Sequence, residues 1–160
     1  MKPIKIMFVC HGNICRSPMA EFMMKELVRQ RGLAGRFEIA SAATSTEELG
    51  NPVYPPARRK LAEHGLRCDG KIAVQMKKAD YDRYDVIVCM DSWNLHNLHR
   101  ITGGDPRGKF IRLLDLTDLK RDVADPWYTD DFDATYRDIT EGLNGFIDFL
   151  KKKNMIKKYR

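Results

Sequence analysis

The sequence predicts an α/β domain in which a parallel β-sheet carries helices on both faces. Short apolar segments rich in branched residues alternate along the chain with segments of helical periodicity, which is typical of a parallel sheet with crossover helices. The chain has 160 residues, of which 43% are hydrophobic and 31% are charged, and this size and composition suit one globular domain. We interpret residues 1–160 as one domain, because no internal repeat or long linker divides them.

The N-terminal part of the chain predicts two strands around one helix. Residues 5–9 are a short apolar run and form the first predicted strand. Ser17 and Pro18 have the residue types of a helix N-cap and a first helical position, and the apolar helical face that follows ends near Gly32. Residues 37–40 are predicted as a second short strand.

The C-terminal part continues the same alternation. Residues 42–56 are rich in proline and predict a long loop, which leads into a helix at residues 57–64. Residues 85–90 contain a continuous apolar run that suits a strand buried on both faces, and a helix follows up to two consecutive glycines. Residues 110–114 form the fourth predicted strand. The last predicted helix has apolar residues four and three apart, at Phe132, Tyr136, Ile139, Leu143, Phe146 and Leu150.

The net charge of +6 is a property of the C terminus. Six basic side chains and no acidic ones lie in residues 151–160, so the rest of the chain carries no net charge. We expect this basic tail to be solvated and expect no nucleic-acid partner, although a weak contact of the tail with nucleic acid or a membrane surface stays open. No apolar run is long enough for a membrane span or a signal peptide, so we expect a cytoplasmic protein with reduced cysteines and no membrane partner.

The loop after the first predicted strand carries the residue types needed to hold and attack a phosphate. A tight loop that leads into a helix N-terminus offers unpaired backbone N–H groups to an anion, and Gly12 and Asn13 tolerate the left-handed conformations that such a loop needs. The planar fork of Arg16 matches two phosphate oxygens, and Cys10 beside it is expected to ionise readily and to attack phosphorus. The loop reads Cys10-His11-Gly12-Asn13-Ile14-Cys15-Arg16-Ser17-Pro18.

Other interpretations of this loop are weaker. It lacks the Gly-Lys-Ser/Thr ending of a nucleotide-binding loop. A metal site built from Cys10, His11 and Cys15 would place its ligands in one strained loop, with no second cluster to complete it, so we expect no metal and no cofactor. In the remaining alternative, Cys10 ends a buried strand and Arg16 faces solvent, without any chemistry.

These loop residues resemble the signature of the low molecular weight protein tyrosine phosphatases. The resemblance covers almost the whole chain and implies a four-stranded parallel sheet with the strand order 2-1-3-4. It also implies a metal-independent enzyme that hydrolyses phosphotyrosine and other aryl phosphate monoesters through a phosphocysteine intermediate, with tyrosine-phosphorylated proteins as partners and phosphate or other oxyanions bound in the loop. Three later segments also resemble the family: Ser41-Ala42-Ala43-Thr44-Ser45, Met90-Asp91 with Asn94-Leu95, and Asp125-Pro126-Trp127-Tyr128.

The resemblance assigns Cys10 as the nucleophile, Arg16 as the phosphate clamp and Asp125 as the general acid and base. From the residues alone, Asp91 and Asp125 are both candidates for the acid, because each follows a predicted strand at the same edge of the sheet. The aromatic residues after Asp125 can desolvate a carboxyl group and flank a phenyl ring. The family pattern favours Asp125 and places Asp91 in a supporting network. Further aspartates nearby are Asp115, Asp118 and Asp122.

The same resemblance implies roles for the other loop residues. Ser17 would bond to the nucleophilic sulfur and Asn13 would hold the shape of the loop, whereas the side chain of His11 is expected to point outward. In the family, a cysteine at the position of Cys15 closes a disulfide with the nucleophile on oxidation. The predicted phosphate-binding set comprises His11, Gly12, Asn13, Ile14, Cys15 and Ser17.

The chain departs from the family pattern at three places. Glu47 lies where the family usually has an aromatic or apolar wall beside the substrate. After Asp125 and Pro126 the family often has two tyrosines; here Trp127 replaces the first, and Tyr128 is the second. Both changes affect the expected substrate preference. Lys71 and Val74 stand where a histidine and an arginine are usual, which affects support for the site.

Two other functions remain possible from the sequence. A module that only binds phosphoproteins or other anions could use the same loop, but it would need neither the thiol nor the acid. An arsenate reductase on this scaffold would need a relay of further cysteines, and Cys68 and Cys89 lack a paired spacing for that purpose.

Overall fold

The computed structural model describes residues 2–157. Its strands are β1 (Ile4–Cys10), β2 (Phe37–Ala43), β3 (Val86–Cys89) and β4 (Phe110–Arg112). Within the described residues these strands form one parallel sheet in the order β2-β1-β3-β4. The predicted fold class and the predicted strand order are confirmed.

Six α-helices connect and follow the strands in the described part of the chain. The predicted helices are confirmed, whereas two four-residue helices were not expected, because a single turn is too short to show a periodic pattern. The helices are α1 (Arg16–Gln30), α2 (Pro55–Glu63), α3 (Asp80–Arg83), α4 (Ser92–Thr102), α5 (Pro126–Thr129) and α6 (Phe132–Lys152).

The sheet separates two hydrophobic cores, because successive side chains of a strand point to opposite faces. Ile6 and Phe8 of β1 belong to the larger core, which α1, α2 and α6 cover. Met7 and Val9 belong to the smaller core, which α3 and α4 cover. Helices therefore lie on both faces of the sheet.

The register of the sheet brings the functional segments to one edge. Cys10 at the end of β1 is paired with Ala43 of β2, and Val9 is paired with Cys89 of β3. The central strands therefore end at nearly the same level, and the loops that follow them meet there. β2 runs to Ala43, beyond the predicted residues 37–40, because β1 pairs with it along its whole length.

Two other predicted boundaries differ from the structure. α1 begins at Arg16, so Ser17 lies inside the helix rather than at its N-cap; the N-cap residue is Cys15, whose side chain makes no capping bond. The Ser17 hydroxyl instead lies beside the sulfur of Cys10. β4 ends at Arg112, and the residues after it form a short 3₁₀ turn, Leu113–Leu116, rather than the end of a strand.

Two glycines allow α6 to lie against this 3₁₀ turn. A Cβ atom on Gly145 would lie 2.5 Å from the carbonyl oxygen of Leu116, and a Cβ atom on Gly142 would collide with the side chain of Leu113. Only a glycine fits these two positions without moving the neighbouring segment. The close approach places β4 and the chain after it against the last helix.

The described part of the C-terminal tail is more ordered than the predicted solvated tail. α6 extends to Lys152, Ile156 is buried, and the carbonyl oxygen of Met155 accepts a hydrogen bond of 3.0 Å from Arg36 Nη2. Lys158 and Arg160 of the predicted tail lie outside the described residues. Among residues 2–157 the helices are too short or too polar to cross a lipid bilayer.

Candidate active site

The loop from Cys10 to Ser17 surrounds the Cys10 sulfur with hydrogen-bond donors. The backbone N–H groups of Asn13 and Ser17 point at Sγ with N···S distances of 3.3 and 3.4 Å, and Ser17 Oγ lies 3.0 Å from the same atom. These three contacts hold the sulfur at the centre of the loop.

Asn13 fixes the shape of this loop. Its backbone adopts a left-handed conformation with φ of 59°, which asparagine tolerates better than most residues. Its side-chain Nδ2 donates to Ser17 Oγ at 2.8 Å and to Ser41 Oγ at 3.0 Å, while Oδ1 accepts from the backbone N–H of Val74 at 3.1 Å. The side chain is therefore satisfied behind the loop rather than in the pocket.

Arg16 is buried, with 2% of its surface exposed. Nη1 donates to Asp91 Oδ2 at 2.6 Å and to the carbonyl oxygen of Val123 at 2.8 Å, and Nη2 lies 3.4 Å from Asp125 Oδ2. Burial disfavours the charged guanidinium, but the charges of Cys10, Asp91 and Asp125 outweigh it and raise the pKa of Arg16. The guanidinium is thus held by several partners and stays charged beside Cys10.

The two candidate acids occupy different environments. Asp91 is the N-cap of α4: Oδ1 accepts the N–H of Asn94 at 2.7 Å, and its other oxygen binds Arg16. Asp125 caps the short helix α5, where Oδ1 accepts the N–H of Trp127 at 3.0 Å, and its second oxygen faces Arg16 across the pocket. Each of the two carboxylates has partners at both oxygens, but of the two it is Asp125 that lines the cavity.

A cavity of about 120 Å³ opens over the Cys10 loop. It brings together most of the residues that the sequence analysis selected, including both aromatic residues of α5. Asn13 and Ser17 do not line it and act from behind the loop instead. The lining residues are Cys10, His11, Gly12, Ile14, Cys15, Arg16, Glu47, Glu48, Asp125, Trp127 and Tyr128.

The segment after β2 forms one wall of the cavity. Its backbone N–H groups at Thr44 and Ser45 donate to the carbonyl oxygens of Cys10 and His11 at 2.9 and 3.0 Å. These bonds attach the wall to the loop that follows β1.

Two glutamates of this wall have different roles at the cavity mouth. Glu47 contacts the His11 ring through Oε2, and its side chain remains 66% exposed. Glu48 turns its carboxylate to Asn51, with an N···O distance of 2.6 Å, and lays its stem against Gly12. The mouth of the cavity therefore carries the Glu47 carboxylate, which is paired with the ring of His11. The prediction that the His11 side chain points outward did not include this contact.

The opposite wall is aromatic. The ring of Trp127 packs against that of Tyr54 with centroids 4.9 Å apart, and Tyr54 also contacts Phe132 at the start of α6. Tyr128 makes little contact and is 83% exposed.

Cys15 lies in the same cavity as Cys10. Burial raises the pKa of the Cys15 thiol, and the neighbouring charge of Cys10 adds to the effect. The two cysteines therefore differ chemically, because Cys15 is held as a neutral thiol while the sulfur of Cys10 is surrounded by donors.

Sequence reasoning missed several residues that support the site. The sequence predicts Ser41 only as part of a segment and does not predict Glu21, whose burial on α1 is seen in the structure. The carbonyl oxygen of Val123 and the N–H of Val74 carried no signal, because every residue has these groups. Among residues 2–157, no group of three or more His, Cys, Asp or Glu side chains is arranged to hold a metal ion.

Comparison with known proteins identifies relatives along nearly the whole chain. Residues 5–156 match the family model described as low molecular weight phosphotyrosine protein phosphatase. The low molecular weight protein-tyrosine-phosphatase YfkJ of Bacillus subtilis is 35% identical over 156 residues, which is 96% of this chain and 99% of the relative. PtpA of Staphylococcus haemolyticus, which carries the same description, is 33% identical over 96% of this chain and 98% of its own.

The fold of this chain also agrees with that of a solved structure of one of these relatives. The crystal structure of YfkJ from Bacillus subtilis superposes with a TM-score of 0.92 at 34% sequence identity, covering 96% of this chain and 98% of that one. The similarity therefore extends over the sheet, the helices and the loops that build the cavity.

Proposed function

The chain belongs to the low molecular weight phosphotyrosine protein phosphatases, and from this premise we propose that it hydrolyses phosphotyrosine in proteins through a phosphocysteine on Cys10. Its partners would be tyrosine-phosphorylated proteins, and aryl phosphates would serve as small substrates. Inorganic phosphate and other oxyanions would bind in the same loop. Both chemical steps of the proposed hydrolysis use side chains of this protein and water, with no metal or cofactor.

In the first step, the Cys10 thiolate attacks phosphorus in line with the leaving oxygen. The S–P bond forms as the P–O bond to the tyrosine breaks, and Asp125 gives its proton to the departing phenolate oxygen. Arg16 and the backbone N–H groups of the loop bind the non-bridging oxygens, on which the negative charge of the transition state is spread.

In the second step, water attacks the phosphocysteine. Asp125, now ionised, takes a proton from the water as the new O–P bond forms. The S–P bond breaks, and inorganic phosphate and the Cys10 thiolate are released. The Ser17 hydroxyl, 3.0 Å from Sγ, would stabilise the departing thiolate with a charge-assisted hydrogen bond.

The environment of the Cys10 sulfur is the observation that carries this proposal. Three donor atoms lie within 3.4 Å of it, at the base of a cavity that also contains Arg16 and Asp125. A module that only binds anions needs a cradle and a cation, but neither a donor-stabilised nucleophile nor a carboxyl group positioned for a leaving group. The arrangement therefore supports catalysis over simple binding.

The walls of the cavity support an aryl phosphate as substrate. Trp127 and Tyr128 offer aromatic surface on one side, and the stem of Glu48 lies on the other. We propose that Glu47, at the mouth, contacts the substrate chain around the phosphotyrosine rather than its ring.

Release of p-nitrophenol from p-nitrophenyl phosphate tests the proposal directly. We expect hydrolysis that is unchanged by EDTA, and faster hydrolysis of phosphotyrosine peptides than of matched phosphoserine peptides. Phosphate binding without product release would favour the binding module instead. A loss of activity in EDTA that Mg²⁺ or Zn²⁺ restores would contradict the metal-independent mechanism.

A further inference from the structure

Glu21 is a buried carboxylate that the proposed reaction does not use. It lies on α1, one turn after Ser17, and its side chain is only 7% exposed. Lys25 Nζ lies 2.6 Å from Oε2, and Lys71 Nζ lies 3.8 Å from Oε1. A carboxylate is rarely buried this deeply without pairing, and the two lysines supply that pairing here.

A hydrogen bond connects this carboxylate to the support of the nucleophile loop. Ser41 Oγ donates to Glu21 Oε1 at 2.6 Å. Because an ionised carboxylate can only accept, the hydrogen of the Ser41 hydroxyl points at Glu21. The oxygen of Ser41 is then available as an acceptor, and Asn13 Nδ2 donates to it at 3.0 Å.

Asn13 connects the oriented hydroxyl of Ser41 to the hydroxyl that lies beside the Cys10 sulfur. Its Oδ1 accepts from the N–H of Val74, so both hydrogens of Nδ2 are left to face the two serine hydroxyls. Ser17 Oγ accepts one of them at 2.8 Å. The hydrogen of the Ser17 hydroxyl is consequently free to point at Cys10 Sγ, 3.0 Å away.

The reversed orientation of the Asn13 side-chain amide shows what Glu21 contributes. A half-turn of the Asn13 amide would aim Oδ1 at both hydroxyls, and Ser17 would then donate to Asn13 instead of to the sulfur. That state would require Ser41 to withdraw its hydrogen from Glu21. It would also leave the N–H of Val74 facing an NH₂ group.

We propose that Glu21 is a positioning residue, whose carboxylate directs this chain of hydrogen bonds so that Ser17 donates to the Cys10 sulfur. Lys71, with a side chain 13% exposed, supports it from the other side and also donates to the carbonyl oxygen of Ser41 at 2.9 Å. Burial lowers the pKa of Lys71, and the Glu21 carboxylate opposes that effect. The inference rests on the proposed function in one respect, that Cys10 reacts as a thiolate.

The rate at which iodoacetamide alkylates Cys10, measured against pH, tests this role. The reagent is uncharged and reacts with thiolates, so the midpoint of the pH profile reports the ionisation of this sulfur. Fragment ions in mass spectrometry separate Cys10 from Cys15 on the same peptide. The assay needs no turnover, so it can be read whether or not the protein hydrolyses a phosphate ester.

Glu21→Met removes the acceptor while nearly conserving volume. We expect its alkylation midpoint to move to higher pH, with alkylation roughly 3–10-fold slower below the midpoint. Glu21→Gln keeps an oxygen that can accept from Ser41, so its shift should be smaller. Glu26→Gln is the matched control, because Glu26 is a carboxylate of the same helix whose hydrogen bonds are to the exposed Arg29 and Gln30; its profile should match wild type.

A Glu21→Met midpoint equal to that of wild type, in protein that unfolds cooperatively, overturns the proposal. If Glu21→Met does not fold, Ser41→Ala decides the question, because it leaves Glu21 with its lysines and removes only the connecting hydroxyl. An unchanged midpoint in Ser41→Ala would equally overturn the role of Glu21. Absence of p-nitrophenyl phosphate hydrolysis by wild type would count against the proposed function alone.

Discussion

Nη1 of Arg16 lies 2.6 Å from Oδ2 of Asp91, although 75 residues separate them in the chain. The other oxygen of Asp91 accepts the N–H of Asn94 at the start of α4. Asp91 therefore connects the guanidinium of Arg16 to the N-terminus of α4. Asp125 approaches the same guanidinium from the cavity side, at 3.4 Å, and is the carboxyl group that a bound substrate would meet.

Asp125→Ala is expected to lower the rate by roughly 10²–10⁴ on aryl phosphates with poor leaving groups, because the phenolate would depart without a proton. The loss should shrink as the leaving phenol becomes more acidic. A series of substituted phenyl phosphates, compared by kcat for wild type and variant, measures this dependence.

Asp91→Asn is the comparison for that experiment. It should weaken the hold on Arg16 and raise KM, while the loss stays the same across the series of leaving groups. If the dependence on the leaving group appeared in Asp91→Asn and not in Asp125→Ala, Asp91 would be the acid.

Cys10→Ser is expected to abolish turnover and to keep the binding of an aryl phosphonate. The cradle of backbone N–H groups and Arg16 remains in this variant, whereas the hydroxyl is a far weaker nucleophile than the thiolate. Calorimetry of phosphonate binding beside a turnover assay separates the two effects. Activity above about a thousandth of wild type, beyond contamination, would refute Cys10 as the nucleophile.

Peroxide is expected to inactivate the enzyme in a way that dithiothreitol reverses. Cys10 would be oxidised first, and Cys15 in the same cavity would close a disulfide with it before irreversible oxidation. Cys15→Ser should make the inactivation largely irreversible. Peptide mapping of the oxidised wild type checks this, and a map without a Cys10–Cys15 link would contradict it.

Glu47 is expected to give a preference for phosphopeptides with basic flanking residues. Two unit charges about 8 Å apart repel or attract by roughly 0.5–2 kcal/mol at an effective dielectric constant of 20–80. The values of kcat/KM for matched acidic and basic phosphopeptides, at low and high salt, should therefore converge in Glu47→Gln. Glu48→Gln is a useful companion, since the carboxylate of Glu48 is turned to Asn51 and should affect the preference less. No preference in wild type, or a preference that Glu47→Gln leaves unchanged, would mean that Glu47 does not interact with the residues that flank the phosphotyrosine.

Gly145→Ala is expected to destabilise the fold by about 1–3 kcal/mol, because its methyl group would overlap the backbone of the 3₁₀ turn after β4. Urea unfolding measures the change. Gly35→Ala is the control, since a Cβ atom at Gly35 meets no neighbouring atom within 4 Å and its stability should change little. Equal stability of the two variants would show that α6 and the turn can separate without cost.

The parts of the fold that the sequence predicts are those with a local signal. The strands follow from branched apolar runs, and α6 follows from apolar residues spaced like those at Phe132 and Tyr136. The four-residue helices α3 and α5 could not be found in this way. The C-terminal half of β2 was missed for another reason, because its extent is set by pairing with β1 rather than by its own residues.

The same distinction applies to the site. Cys10 and Arg16 could be selected from their chemistry and their place after a strand, whereas the choice of Asp125 over Asp91 came from the family resemblance. The structure brings Cys10, Arg16 and Asp125 to one cavity. Supporting roles for Ser17, Asn13 and Asp91 were implied by the resemblance. The carbonyl oxygen of Val123 and the N–H of Val74 could not be selected, because any residue provides these groups. The position of Ser17 behind the loop rather than in the cavity depends on where α1 begins.

The burial of Arg16 has a consequence for biosynthesis. Its guanidinium cannot leave water favourably until its partners are present, and these are Asp91 and the carbonyl oxygen of Val123, which lie 75 and 107 residues further along the chain. A nascent chain that has emerged only as far as β2 would therefore have to keep the guanidinium of Arg16 solvated. The guanidinium therefore reaches its place beside Cys10 only after Val123 has left the ribosome, and the recovery of activity on refolding would report this late stage of assembly.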